Sequence, residues 1–276
     1  MSSVLFDIPG PRAQARYRIV GGVSTLVLAA LIGWVLWILY QNDQFSQNKW
    51  QPFTDPDVLL NLGEGLLLTL RAAAVAILLA MAFGAVFASG RLSNRPWLRW
   101  PAALIVEFFR AVPLILLILF IFLLAGGTLS RFWCLVLGLM LYNGAVLAEI
   151  FRAGVNAVPR GQSEAAYAIG MRKGQILRII LAPQAVTAML PAIISQCVVA
   201  LKDTTLGIII ASEDVIFTGR LIYNDFRYNN AIIVGTMLAI VFITINYSLS
   251  KLAQYVERRL ASRGERAVDL TKIASI

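Results

Sequence analysis

The sequence predicts an all-α membrane protein of about six transmembrane helices. Hydrophobic residues make up 59% of the 276-residue chain and charged residues only 14%, against about 45–50% and about 25% in soluble domains. The apolar residues also gather in blocks of about 20, long enough to cross roughly 30 Å of hydrocarbon at about 1.5 Å rise per residue. Finally, the basic residues behind the net charge of +9 crowd into alternate loops between those blocks, as in multi-span proteins.

The blocks give spans at about 19–40, 62–88, 103–125, 132–151, 184–201 and 231–250. Around them lie a basic tail (1–18), an outer loop (41–61), a core of five spans (62–253) that contains a long loop at 152–183, and a second tail (254–276). The fifth span is the least regular: Pro183 and Pro191 interrupt it, and Ser195 and Gln196 put polar groups near its middle. A run at 206–210 is too short to cross and reads as a re-entrant or interfacial piece, sheltered by protein. Small residues (Ala72, Ala73, Ala74, Gly84, Gly138, Gly144) permit close helix approach.

Orientation follows from the charge count. With the N-terminus inside, the four inner segments hold 17 Lys and Arg residues and the three outer segments hold five. Both termini are therefore expected in the cytoplasm, in a multi-pass protein of the plasma membrane. The six Trp residues lie at or near span ends, where the ring suits the headgroup zone. The basic balance reads as topology, with lipid as the partner and no nucleic acid. Histidine is absent, and the two cysteines, Cys134 and Cys197, sit in apolar runs. A metal site, a disulfide and a catalytic centre all lack their usual residues, so neither metal nor catalytic residues are expected. There is no G-x-x-x-x-G-K-[ST] phosphate loop, so any ATP must be held by another chain.

The loop at 152–183 is too long and too patterned to be a plain connector. Residues 162–169 read as a short helix, with Ser163 as N-cap and Glu164 in the first turn, where the helix dipole favours a carboxylate. Gly170 permits a turn that a Cβ would resist. Residues 172–181 read as a second helix, basic on one side and apolar on the other, ending at Pro183. Such an elbow is a rigid handle for a soluble partner, or it lies on anionic headgroups.

Glu164-Ala165-Ala166, then Gly170, Ile180 and Pro183 at their spacing, resembles the EAA motif of ABC importer permeases. There the elbow is the coupling helix that docks on the ATP-binding subunit. Ala182 departs from the leucine usual before the proline. Ala148-Glu149-Ile150-Phe151-Arg152 with Val158-Pro159-Arg160-Gly161-Gln162 is similar to the approach to the elbow in the polar amino acid branch, which takes up histidine, glutamine and glutamate. Glu107-Phe108-Phe109-Arg110-Ala111-Val112-Pro113 and Leu201-Lys202-Asp203-Thr204-Thr205-Leu206 resemble two further segments of that branch. The resemblance covers residues 62–253 and leaves the first span as an addition.

It implies a five-span type I importer core with a coupling-helix elbow. Gly161, Glu164, Ala165, Ala166, Gly170 and Pro183 would be the ATPase-coupling residues. The implied partners are two ATP-binding subunits that carry ATP and Mg, a second permease chain (a copy or a relative), and an extracytoplasmic amino-acid-binding protein. No cofactor is expected on this chain. A secondary transporter or channel is the alternative, and it would leave the elbow unexplained.

Candidate pathway residues follow from polar groups placed where burial is costly. Arg71 lies about a third of the way into span two, where an unpaired Arg costs on the order of 2.5–3.5 kcal/mol. It either faces the pathway and attracts a carboxylate, or it pairs with Glu64 and snorkels. Lys202, Asp203, Thr204 and Thr205 close span five and would bracket the charges of an amino acid, unless Lys202 and Asp203 pair locally and Thr caps the next turn. Two cations favour glutamate as substrate. Glu107 and Arg110 read as a helix-surface pair, and Glu213 and Asp214 as solvated or facing a delivering protein.

Overall fold

The computed structural model describes residues 10–228 and 230–273. Residues 1–9 of the basic tail, Asn229, residues 274–276 and the side chains of the C-terminal tail from 256 onward lie outside the described residues. Every regular element among the described residues is helical. In chain order they are α1 (Pro11–Gln41), α2 (Gln47–Trp50), α3 (Pro56–Arg91), α4 (Pro96–Ala111), α5 (Leu114–Ala125), α6 (Arg131–Ala157), α7 (Arg160–Ala168), α8 (Lys173–Gln175), α9 (Ala182–Asp203), α10 (Val215–Tyr223) and α11 (Ala231–Ile273). Five helical rods are long and apolar enough to cross a membrane, or six when the bent pair α4 and α5 is counted as one span.

That break corrects the expectation of one uninterrupted helix at 103–125. The chain bends by 102° between α4 and α5. Pro113 has no N–H to donate, and its ring pushes the preceding residue out of the helical region. Val112 is accordingly extended, at φ −75° and ψ 127°. α5 has only 12 residues, about 18 Å of helix, so it cannot cross unaided.

The core forms where α3 and α6 lie side by side. α3 buries Gly65, Ala72, Ala76, Ala80, Gly84 and Ala88, a stripe of small residues at helical spacing that lets the backbones approach closely. A Cβ on Gly84 would come within 2.9 Å of Leu147 Cβ and 3.1 Å of the Ala148 nitrogen, so backbone itself occupies the space. Gly144 accepts the Phe83 ring in the same way, and Gly138 accepts Ile118 of α5. α9 packs against both α3 and α6, with Ala185, Met189 and Ile193 gathered around Leu147 of α6 and Ala80 of α3. α11 closes over α9 and α10.

α1 stands apart. None of its apolar window is buried by the rest of the chain, as expected for a span added to a self-sufficient core.

The fifth span differs from its expected form. The second elbow helix does not end at Pro183. α8, a π-helical turn (Ile176–Leu181) and α9 run on as one rod, continued by a 3₁₀ turn (Thr204–Ile210), so that helical backbone extends from Lys173 to Ile210. A proline removes one backbone donor, and a wider π turn is one of the few ways a helix accommodates the irregularity. Gln184 Nε2 donates to the Ile180 carbonyl at 3.0 Å beside it. The short run at 206–210 is thus the tail of this rod, with Gly207 and Ile210 buried.

Candidate functional site

The elbow is built as its residues dictate, with one shift of register. α7 starts at Arg160, and Ser163 Oγ donates back to the Arg160 carbonyl at 2.8 Å instead of capping. Ser163 is therefore not the N-cap, and Glu164 falls beyond the first turn. The reason is Pro159, whose fixed φ starts the helix earlier.

Gly170 has φ +82°, in the left-handed region that a Cβ disfavours. The Gly170 N–H donates to Tyr167 O at 2.9 Å and the Met171 N–H to Ala166 O at 3.1 Å. This pair of bonds is the Schellman closure of a helix C-terminus. α8 follows at once, with Gln175 Oε1 accepting from the Arg172 N–H at 2.9 Å. Ala166 and Ile176 are the buried anchors of the two arms. Gly161, Glu164, Ala165 and Gly170 are exposed, and so are Tyr167 and Ile169, the latter 78% accessible. These two apolar side chains were not singled out from the sequence. Only the turn geometry shows that both arms leave them outward.

The elbow is pinned to the preceding basic loop. Lys173 Nζ donates to the Leu92 carbonyl at 2.8 Å and also reaches Asn94 Oδ1. Alongside runs a chain of charges. Arg110 pairs with Glu107 at 3.3 Å, Glu107 with Arg91 at 3.1 Å, Arg91 with Glu149 at 3.0 Å, and Glu149 with Arg152. The expected Glu107–Arg110 surface pair is thus one end of a network across α3, α4 and α6. Arg91 sits at its centre with a side chain only 12% exposed. Glu149 received no role from the sequence, because its two cationic partners come from 58 positions upstream and three downstream.

The candidate pathway residues do not form one cluster. Arg71 is exposed on α3, and no ion pair joins it to Glu64, which instead lines a cavity of about 520 Å³ beside α10. Lys202 is exposed, Asp203 is half-buried, and no ion pair within 4 Å links them, so the expected local pair is not formed. Thr204 is fully buried and spends its hydroxyl on the Leu201 carbonyl at 2.7 Å. Thr205 does the same to Lys202 O at 2.8 Å. Neither caps the next turn. A polar clip missed by the sequence reading joins α9 to α6: Gln196 Nε2 donates to Asn143 Oδ1 at 2.6 Å, and Asn143 Nδ2 to Leu139 O at 3.1 Å. Unpaired amides are costly inside a bilayer, so this pair fixes the register of the two spans.

Asp214 is not solvated. It is 3% exposed and caps α10, its Oδ1 accepting from the Phe217 N–H at 2.8 Å. Its Oδ2 is buried with no hydrogen-bond partner, against Gly207. Neighbouring Glu213 is exposed, 3.8 Å from Arg131.

The family model described as "Binding-protein-dependent transport system inner membrane component" matches residues 76–262. The chain belongs to this family. Among curated relatives, the glutamate transport system permease protein GluD of Corynebacterium glutamicum is 38% identical over 86% of this chain and 88% of its own length. The glutamate/aspartate import permease protein GltK of Escherichia coli O6:H1 is 30% identical over 72% of this chain and 92% of its own. An amino acid ABC transporter crystallised with histidines superposes with a TM-score of 0.66 at 28% identity, over 73% of this chain and 94% of that one. The methionine transporter MetNI shares the fold, with a TM-score of 0.65 at 18% identity. As a member of the family, the chain is the multi-pass inner-membrane component of a transport system that works with a binding protein. α1 precedes the segment that the family model matches.

Burial pushes the Asp214 carboxyl up to about 6, against the opposing pull of the Phe217 and Ile216 N–H groups. A carboxyl whose folded pKa lies above its unfolded value near 3.9 destabilises the fold where it must ionise. Stability is therefore lowest above about pH 6 and is regained as pH falls through about 6 towards about 4, by at most about 3 kcal/mol. Asp214→Asn keeps the cap acceptor and removes the titration. Thermal unfolding of the purified protein should show wild type gaining more than the variant between about pH 7.5 and about pH 5. An identical gain in both would mean that Asp214 does not titrate in this range.

Proposed function

We propose that this chain is the permease subunit of an ATP-driven importer of acidic amino acids, with glutamate as the preferred substrate. It is read as half of a translocation pore completed by a second permease chain, a copy or a relative. Two ATP-binding subunits dock on the elbow, ATP and Mg remain with them, and an extracytoplasmic binding protein delivers substrate. Both termini lie in the cytoplasm.

The observation that carries the coupling role is the continuity of the elbow with span five. Glu164, Tyr167 and Ile169 present outward from a loop locked by Gly170, while α8 passes without interruption into the rod that reaches Ile210. A displacement imposed on α7 is transmitted to α9 as movement of a stiff body, and the hydrogen bonds of Lys173 to the first basic loop set its pivot. Relatives named for glutamate support the substrate, as do two exposed cations, Arg71 and Lys202, neither of which has a carboxylate within 4 Å among the described residues. The orientation rests on the charge bias of 17 inner to five outer cations. An impermeant thiol reagent should label a cysteine placed at Asp55 in intact cells and spare one placed at Asn94. The opposite pattern would invert the topology.

Glu164→Lys and Gly170→Val test coupling. The first reverses charge on the exposed face of the elbow. The second forces a β-branched residue to φ +82°. Both variants should insert normally and lose nearly all substrate-stimulated ATPase activity in the assembled transporter. Wild-type stimulation in both would remove the elbow from the mechanism.

Removing the charge of Arg71 or Lys202 by substitution with Met tests the pathway. A charge-assisted contact of roughly 1.5–3 kcal/mol implies at least about tenfold greater loss for glutamate than for glutamine. Equal losses for the two substrates would leave neither cation in contact with the substrate carboxylate.

A further inference from the structure

Beneath the elbow lies a cavity of about 480 Å³ between the first basic loop, the end of α6 and the start of α8. Five cations line it, namely Arg91, Arg99, Arg152, Arg160 and Lys173, with no carboxylate in the lining. Three of the five are engaged: Arg91 and Arg152 by Glu149, and Lys173 by Leu92 O and Asn94. Arg99 and Arg160 have no side-chain hydrogen bond or ion pair among the described residues, and both are exposed. Arg91 is balanced within the charge network, by Glu107 at 3.1 Å and Glu149 at 3.0 Å. Arg99 and Arg160 thus bring two uncompensated positive charges to one concavity, which an anion seated there would balance.

We propose that this cavity binds the phosphate of an anionic phospholipid headgroup from the cytoplasmic leaflet. The orientation assumed is that of the importer reading. Three features favour a lipid over a free phosphate. Trp97 and Trp100 on adjoining α4 are 65% and 69% exposed, and Arg95 lies over the Trp97 ring at 5.8 Å, which marks the headgroup level. Val158 and Leu177 give the cavity apolar wall to meet the glycerol end of a lipid. Basic pockets between spans on the inner side suit anionic headgroups, which are concentrated there. A phosphate seated on Arg99 and Arg160 bridges the first turn of α4 to the start of α7, beside the existing clasp made by Lys173.

The test uses the permease assembled with its ATP-binding subunits, purified in neutral detergent with equimolar phosphatidylglycerol and phosphatidylcholine. Retained lipids are counted by native mass spectrometry. Wild type should retain phosphatidylglycerol selectively, and Arg99→Gln/Arg160→Gln should lower that retention about tenfold. Arg99→Lys/Arg160→Lys, which keeps both charges, should retain most of it. Arg12→Gln/Arg16→Gln removes two cations from α1 on the same side of the membrane and should change nothing.

Equal loss in the α1 variant would reduce the effect to general surface attraction and overturn the site. Absence of any preference in wild type would do the same. Displacement of the lipid by inorganic phosphate at about millimolar concentration would assign the cavity to a small free anion instead. Glutamate transport measured on the same preparations keeps the two readings apart. Lipid results that fail while glutamate transport persists sink only the lipid site, and absent transport with selective retention sinks only the importer reading.

Discussion

The close approach of α3 and α6 is the contact on which the other helices depend. In a bilayer there is no hydrophobic gain from bringing two apolar helices together, so association has to come from dispersion contact at short range and from satisfied polar groups. The small residues of α3 supply the first, and at Gly84 they come up against the backbone of Ala148 itself. With this pair fixed, Gly138 receives α5 and Gly154 receives Met189 of α9, while Gly65 admits α10 at the opposite end. Each neighbour docks through a position where a larger residue would hold it away. The spans therefore form one body although each is coated with lipid-facing Leu, Ile and Phe.

The basic end of that body is organised by charge. Arg91 ends α3, Glu107 and Arg110 lie near the end of α4, and Glu149 and Arg152 lie near the end of α6. A single exposed pair contributes little. A chain in which each carboxylate is shared by two guanidinium groups also fixes three helix ends relative to one another. The elbow is then attached to a surface that is already rigid, through Lys173 and through the buried anchors Ala166 and Ile176. Rigidity here is what allows a force on α7 to move α9 instead of being absorbed by local bending.

The route from elbow to span five runs through an irregular helix. Pro183 and Pro191 each remove a donor, and the π turn at Ile176–Leu181 takes up part of the resulting misfit. Side-chain donors add bonds to neighbouring carbonyls, from Gln184 to Ile180 and from Thr187 to Gln184.

The all-helical membrane-spanning class, the small-residue stripe and the Gly170 turn were all legible in the sequence. Each depends on residues close together in the chain or on composition summed over a span. Hydropathy over about 20 residues outweighs any tertiary detail when the surroundings are hydrocarbon. What the sequence left undecided, or suggested wrongly, involves partners distant in the chain or competition between adjacent signals. The apolar run at 103–125 hid the bend at Val112–Pro113, because hydropathy does not register a missing N–H. Pro183 read as a helix end, since a linear sequence carries no sign that a π turn will absorb it. Asp214 read as a solvated acid, and its burial came only when Gly207 packed against it. Glu149 gained its role only when α3 brought Arg91 to within 3.0 Å. The charges in a sequence are countable, but which of them meet is decided by helix packing, since Coulomb attraction between side chains acts usefully only over the few ångströms that the fold creates.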